Sequence, residues 1–146
     1  MTKPIIALAA DHAGYSLKER IKLYLEEQAY EVNDFGTKSD ESTDYPDYAH
    51  PLAESVESGE SDLGFTFCGS GNGISMTANK HQGIRSALCW NTELAALARK
   101  HNNANVCSMP ARFISEDEGL KIAKTFLSTD FEGGRHQRRI EKIPVK

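Results

Sequence analysis

The chain has 146 residues, 39% of them hydrophobic and 26% charged, a balance that suits one globular domain burying its core without disulfides or structural metal. Its net charge of −4 argues against a general nucleic-acid binder. The opening stretch MTKPIIALAADHAG is broken at Asp11, too short for a membrane span and without signal-peptide anatomy, so no membrane or export role is expected. Cys68, Cys89 and Cys107 are odd in number and show no paired-ligand spacing, which points to free thiols in a reducing cytoplasm and away from structural zinc.

Short apolar runs alternate with longer amphipathic stretches, a pattern that predicts strand-helix units around a five-stranded parallel sheet, an α/β sandwich. In chain order, a strand over residues 5–10 leads to a helix with Leu17, Ile21 and Tyr24 or Leu25 facing inward, behind a Ser16/Glu19 capping box. A strand at 31–34 precedes a helix opened by Pro46 and closed near Gly59, with Leu52, Ala53 and Val56 inside. The third strand, 63–68, runs into a glycine-rich loop and a helix over 74–80. A strand at 85–89, a helix at 92–101 and a strand at 106–109 follow. The next helix lies behind a second capping box, Ser115/Glu118, with Leu120, Ile122, Ala123, Phe126 and Leu127 on its inner face. The tail, residues 130–146, carries 5 Lys and Arg against 3 Asp and Glu, whereas residues 1–129 carry 12 against 18; it is either a solvated end or an anion site.

Ligands of an open parallel sheet sit outside the carboxyl ends of its strands. That rule selects Asp11-His12, Cys68 with the GSGNG after it, and Arg112 just beyond the fifth strand. His101 and Asn102 end the helix before that strand and could reach either rim. Gly69, Gly71 and Gly73 let backbone N–H groups close on an anion. No GK[ST] follows, so a P-loop is disfavoured. Glu93, 20 residues beyond Gly73, keeps a non-catalytic nucleotide-binding module as an alternative, although the loop reads GxGxG. Cys68 in front of such a loop is expected to have its thiolate favoured; Cys89 and Cys107 read as buried space-fillers. No clustered carboxylate and histidine ligands for a metal-dependent hydride shift are evident.

DHAGY at 11–15, TDYPDYA at 43–49, CGSGNGIS at 68–75, ANKHQGIR at 78–85, RKHNNANV at 99–106 and EGGRHQRRIE at 132–141 together resemble the ribose-5-phosphate isomerase type B family and its galactose-6-phosphate isomerase relatives. The resemblance implies a doubly wound, Rossmann-like three-layer α/β/α sandwich, a homodimer with its active site at the subunit interface, and no metal or organic cofactor. It implies interconversion of ribose 5-phosphate and ribulose 5-phosphate through an enediolate, with allose 6-phosphate or galactose 6-phosphate as six-carbon alternatives. Residue by residue, Cys68 matches the proton-transfer base, with Ser70 beside it. Gly69, Gly71, Asn72 and Gly73 match the loop whose amides face the enediolate oxygens. His101 matches the ring-opening group, assisted by Asp11, and Asn102 and Tyr45 match substrate contacts. His12, Arg112, Arg135 and Arg139 match the phosphate ligands, part of the set coming from the partner subunit. Members with a glutamate base carry it further along the loop, where this chain has Ser75, so the chain reads as the cysteine type. The chemistry fits these residue types, because the reaction needs one base that moves a proton between C1 and C2 and donors around the developing oxyanion.

Overall fold

The computed structural model describes residues 2–146. Its elements in chain order are β1 (Ile6–Ala10), α1 (Tyr15–Glu27), β2 (Val32–Asp34), α2 (Pro46–Ser58), β3 (Leu63–Cys68), α3 (Asn72–Ala78), β4 (Ser86–Leu88), α4 (Thr92–Asn102), β5 (Val106–Pro110), α5 (Glu116–Ser128) and α6 (Arg135–Ile140). All four strand pairs are parallel, in the order β2-β1-β3-β5-β4. The winding reverses between β1 and β3, which makes the gap between their carboxyl ends the switch point at which such sheets bind ligands. No helix among the described residues is long and apolar enough to cross a membrane.

β1 shows why the sheet is covered on both faces. Ile6, Leu8 and Ala10 join Leu17, Ile21, Phe65, Phe67, Ile122 and Phe126 in one core cluster, under α1, α4 and α5. Ala7 and Ala9 point the other way, to Leu52, Ala53, Val56 and Ala78 under α2 and α3. Buried hydroxyls on that second side bond to one another: Thr66 Oγ1 to Ser108 Oγ at 2.6 Å, Ser108 to Ser86 at 2.8 Å and Ser86 to Ser75 at 2.9 Å. This chain satisfies groups that would otherwise cost stability, and it fastens α3 to β3, β5 and β4.

Two sequence expectations change. The Ser16/Glu19 capping box is absent, because α1 starts at Tyr15 with Gly14 as its N-cap and no side-chain cap bond; Asp11 Oδ1 instead accepts from the N–H groups of Ala13 and Gly14 at 3.0 and 3.2 Å and fixes the turn that leads into the helix. Ser16 instead donates to Glu116 at 2.8 Å, bridging α1 to α5. α3 begins at Asn72, two residues before the expected 74. By contrast, the Ser115/Glu118 box forms in full, and the basic tail includes the helix α6.

Lys18 is a charged residue in the core, 0% exposed. Its Nζ lies 2.6 Å from Glu19 and 2.8 Å from Asp34. Burial pushes the Asp34 carboxyl up, but hydrogen bonds from Lys18, the Gly36 amide and Lys22 outweigh it and hold the group below the usual carboxylate range. The Gly36 carbonyl in turn accepts from Ala10 N–H at 2.7 Å, so the ion pair braces the loop beside the end of β1. Lys18→Met should therefore destabilise the protein by about 3 kcal/mol in urea unfolding, since removing one partner strands a desolvated carboxylate. A change under about 0.5 kcal/mol, the range of an ordinary surface substitution, would show that Lys22 alone suffices.

Candidate active site

The first group of chemically active side chains gathers at the switch point. Asp11 leaves β1 there, 6% exposed, and its N–H donates to Phe67 O at 3.2 Å, which ties it to the strand that delivers Cys68. After Cys68 the chain is held against the exit of β5, with Ala111 N–H donating to Cys68 O at 2.9 Å and Arg112 N–H to Gly69 O at 3.0 Å. Arg112 lays its side chain against Gly69. Gly71 has φ +78°, a left-handed conformation that glycine adopts without strain, and it turns the chain into α3. A Cβ on Gly73 would stand 2.4 Å from Tyr45 Cζ, so the absence of a side chain lets Tyr45 close over the loop. Ser70 Oγ accepts from Asn72 N–H and Nδ2 at 3.3 and 3.2 Å. His12 Nδ1 accepts from Thr43 N–H at 3.2 Å, so in the neutral ring Nε2 carries the proton and is free to donate.

Cys68 is 4% exposed. Burial pushes its thiol above the usual cysteine range, and the Asp11 carboxylate adds to that; the N–H groups of Ile74, Gly71 and Ser70 hydrogen-bond the sulfur and pull the other way without winning. The expected gain in thiolate is thus reversed in net direction, although the donors that motivated it are in place. Cys89 and Cys107 are fully buried and unpaired. Ser75, bonded to Ser86, belongs to the hydroxyl chain.

A second group lies at the opposite rim. The register sets Gly64 beside Val106 and Cys68 beside Pro110, four residues apart, or roughly 13 Å at strand rise. α4 runs back against the strands and ends at Asn102 just before β5 begins, so His101 and Asn102 sit at the amino-end rim. α5 returns to the same rim and hands the chain to α6, which packs on α4. Arg135 and Arg139 are exposed on α6, and Glu132 N–H donates to Lys100 O at 3.1 Å. The His101 and His136 rings stack with centroids 4.3 Å apart and planes 15° from parallel. Glu132 Oε1 lies 3.8 Å from His101 Nε2 and 3.5 Å from His136 Nε2. The sequence showed no such carboxylate-histidine cluster, since it forms only when α6 docks. For His136 and Glu132 the sequence offers one signal, their place inside EGGRHQRRIE on either side of Arg135.

Asp11, His12, Tyr45, Cys68, Gly69, Ser70, Gly71, Asn72, Gly73 and Arg112 therefore come together, and His101, Asn102, Arg135 and Arg139 form a separate set. The nucleotide alternative loses its geometry. Glu93 follows β4, which β5 separates from β3, so it stands two strands, or roughly 10 Å, from the glycine loop and not on the neighbouring strand that a dinucleotide site uses.

A doubly wound parallel sheet with a cysteine and an amide-rich anion loop at its switch point defines the class as a small-molecule α/β enzyme fold. Residues 6–143 match the family model described as Ribose/Galactose Isomerase, and the chain belongs to that family, in its ribose-5-phosphate isomerase type B branch. It is 44% identical over 138 residues to the ribose-5-phosphate isomerase B of Escherichia coli, covering 94% of this chain and 93% of that protein. A crystal structure of a ribose 5-phosphate isomerase from Thermotoga maritima superposes with a TM-score of 0.96 at 50% identity, covering 98% of this chain and 99% of the other. The Mycoplasma genitalium ribose-5-phosphate isomerase B, solved with bound ribulose-5-phosphate, superposes at 0.91 with 45% identity, covering 94% and 92%.

The raised Cys68 thiol has a direct readout. Alkylation by iodoacetamide should fall on Cys68 alone in the native protein, and its rate should still climb with pH above about 8.5, where an ordinary thiol begins to level off. A plateau below about pH 8 would mean that the amides outweigh burial.

Proposed function

We propose that this protein interconverts ribose 5-phosphate and ribulose 5-phosphate, as its named relatives do, with Cys68 as the proton-transfer base. The observation that carries the reading is the Cys68 sulfur, buried beside Asp11 and faced by the N–H groups of Ser70 and Gly71 in the loop and of Ile74 in α3. A base in that position removes the proton from C2 of the open-chain aldose and returns it to C1, while the loop amides face the oxygen that becomes negative. Ser70, next to the loop, is suited to pass the hydroxyl proton from O2 to O1. Only the thiolate can accept the substrate proton, and because burial keeps the Cys68 thiol raised in the free protein, kcat/KM rises with pH as the thiolate fraction does.

The phosphate ligands divide between the rims. His12 Nε2 and Arg112 reach from the cysteine side, and Arg135 and Arg139 present a guanidinium pair on the other, suited to a phosphate dianion. One chain does not bring the two sets together, so the reading includes a homodimer in which the α6 rim of one subunit faces the switch point of its partner. His101 and Asn102 then come to the sugar from the partner. Three free cysteines fit a reducing cytoplasm. A six-carbon sugar phosphate remains the alternative substrate.

Assays with ribose 5-phosphate, allose 6-phosphate and galactose 6-phosphate side by side should give the highest kcat/KM for ribose 5-phosphate. Cys68→Ala should lower that activity at least 100-fold, on the order of the loss of a main catalytic base, with an unchanged circular dichroism spectrum. Near-normal turnover by the folded variant would contradict the assignment of the base, and preference for a six-carbon substrate would move the reading to the alternative.

A further inference from the structure

His101 and His136 are held face to face, and one carboxylate serves both. His101 is the accessible member, its side chain 40% exposed, while His136 is 7% exposed and its Nε2 is buried with no hydrogen-bond partner. Glu132 is the acid that faces this pair; the other charged groups around it are cationic, Lys100 on α4 and Arg135 and Arg139 on α6. The Glu132 backbone is pinned to the last turn of α4 through Lys100 O, so the carboxylate is carried to the two Nε2 edges by the chain path and not by a free side chain alone.

We propose that Glu132 is a positioning residue for the ring-opening histidine: its carboxylate, placed against the Nε2 edges of the stacked His101 and His136, orients both rings and lets the pair hold one proton amid the surrounding cations. The proposal rests on the reading of His101 given above. Two parallel imidazoles with centroids 4.3 Å apart repel if both are charged, and with Arg135 and Arg139 close by even one proton is opposed. For His136, burial together with His101, Arg135 and Arg139 lowers the proton affinity, and Glu132 raises it. The carboxylate thus offsets the cations that the phosphate requires. Ring opening then proceeds with the His101 imidazolium giving the proton of Nδ1, the nitrogen that Glu132 does not face, to the ring oxygen as the C1–O bond breaks, and with the anomeric hydroxyl losing its proton to the Asp11 carboxylate as the C1 carbonyl forms. His101 is later reprotonated from solvent at its exposed edge. The three donor atoms lie within 4.8 Å of one another, yet near-parallel rings aim their nitrogens side by side and two arginines add positive charge, so the arrangement suits a proton better than a dication.

The test uses the full protein with Glu132→Gln and Glu132→Asp, followed by proton-nitrogen NMR of the imidazoles and by kinetics with two aldoses, ribose 5-phosphate and its 4-deoxy analogue. The analogue lacks the oxygen that closes the five-membered ring, so it enters as the open chain. In Glu132→Gln the titration midpoint of His136 should fall by about half a unit or more, the size of a lost neighbouring charge. The same variant should lose about ten-fold in kcat/KM with ribose 5-phosphate and less than about two-fold with the analogue. Glu132→Asp, which keeps the charge, should recover part of both effects. An unchanged His136 midpoint overturns the proposal, as does an equal loss with both aldoses in Glu132→Gln while His101→Ala discriminates between them. If the midpoint falls but neither Glu132→Gln nor His101→Ala discriminates cyclic from open sugar, the ring-opening role of His101 is what fails, and the proposal falls with it.

Discussion

Strand direction is the constraint on which the site depends. In a parallel sheet every strand delivers its last residues to one rim, and every returning helix delivers its last residues to the other. Asp11, Cys68 and Arg112 are strand-end residues, and His101, Asn102, Arg135 and Arg139 belong to helices at the far rim. The hydrogen-bonded register between β3 and β5 leaves no freedom to bring the sets together within one chain. On the proposed reading, the base, the ring-opening acid and the phosphate clamp meet when two copies face one another, a symmetric arrangement that would build two equivalent sites.

The local chemistry at Cys68 is a balance of opposing effects. Desolvation favours the neutral thiol, and a carboxylate nearby does the same; amide dipoles favour the anion. A resting thiol in place of a resting thiolate has a consequence for selectivity, since a buried neutral sulfur is a poor target for stray electrophiles and oxidants. The amides gain their full effect when negative charge develops on the enediolate, because they are already aimed and need no reorganisation. The buried Lys18-Asp34 pair and the hydroxyl chain from Thr66 to Ser75 hold the segments that flank this loop.

Much of this was legible in the sequence. The alternation of apolar runs located all five strands, most plainly β1, β3 and β5, whose residues are almost all buried, and the glycines after Cys68 marked the loop at the switch point. The second capping box, Ser115/Glu118, formed as its spacing predicts. The first failed because Asp11 fixes the turn through Ala13 and Gly14, so α1 starts at Tyr15 and Ser16 already lies inside its first turn. Helix boundaries alone do not fix the rim of His101; strand pairing does. The net direction of the Cys68 shift was illegible for a related reason, since burial depends on what Ile74 and its neighbours pack against. The Glu132 contact with two histidines requires α6 to dock on α4, a tertiary event with no periodicity to announce it.

The shared site is tested most directly by mixing inactive subunits. Cys68→Ala and Arg139→Ala chains, each inactive alone, are unfolded and refolded together, and isomerase activity is measured alongside the fraction of heterodimer. With the site split between subunits, a heterodimer contains one site with an intact cysteine and an intact arginine, and random pairing of equal amounts returns roughly a quarter of wild-type activity. No recovery in a sample shown to contain heterodimers would mean that each site is built within a single chain.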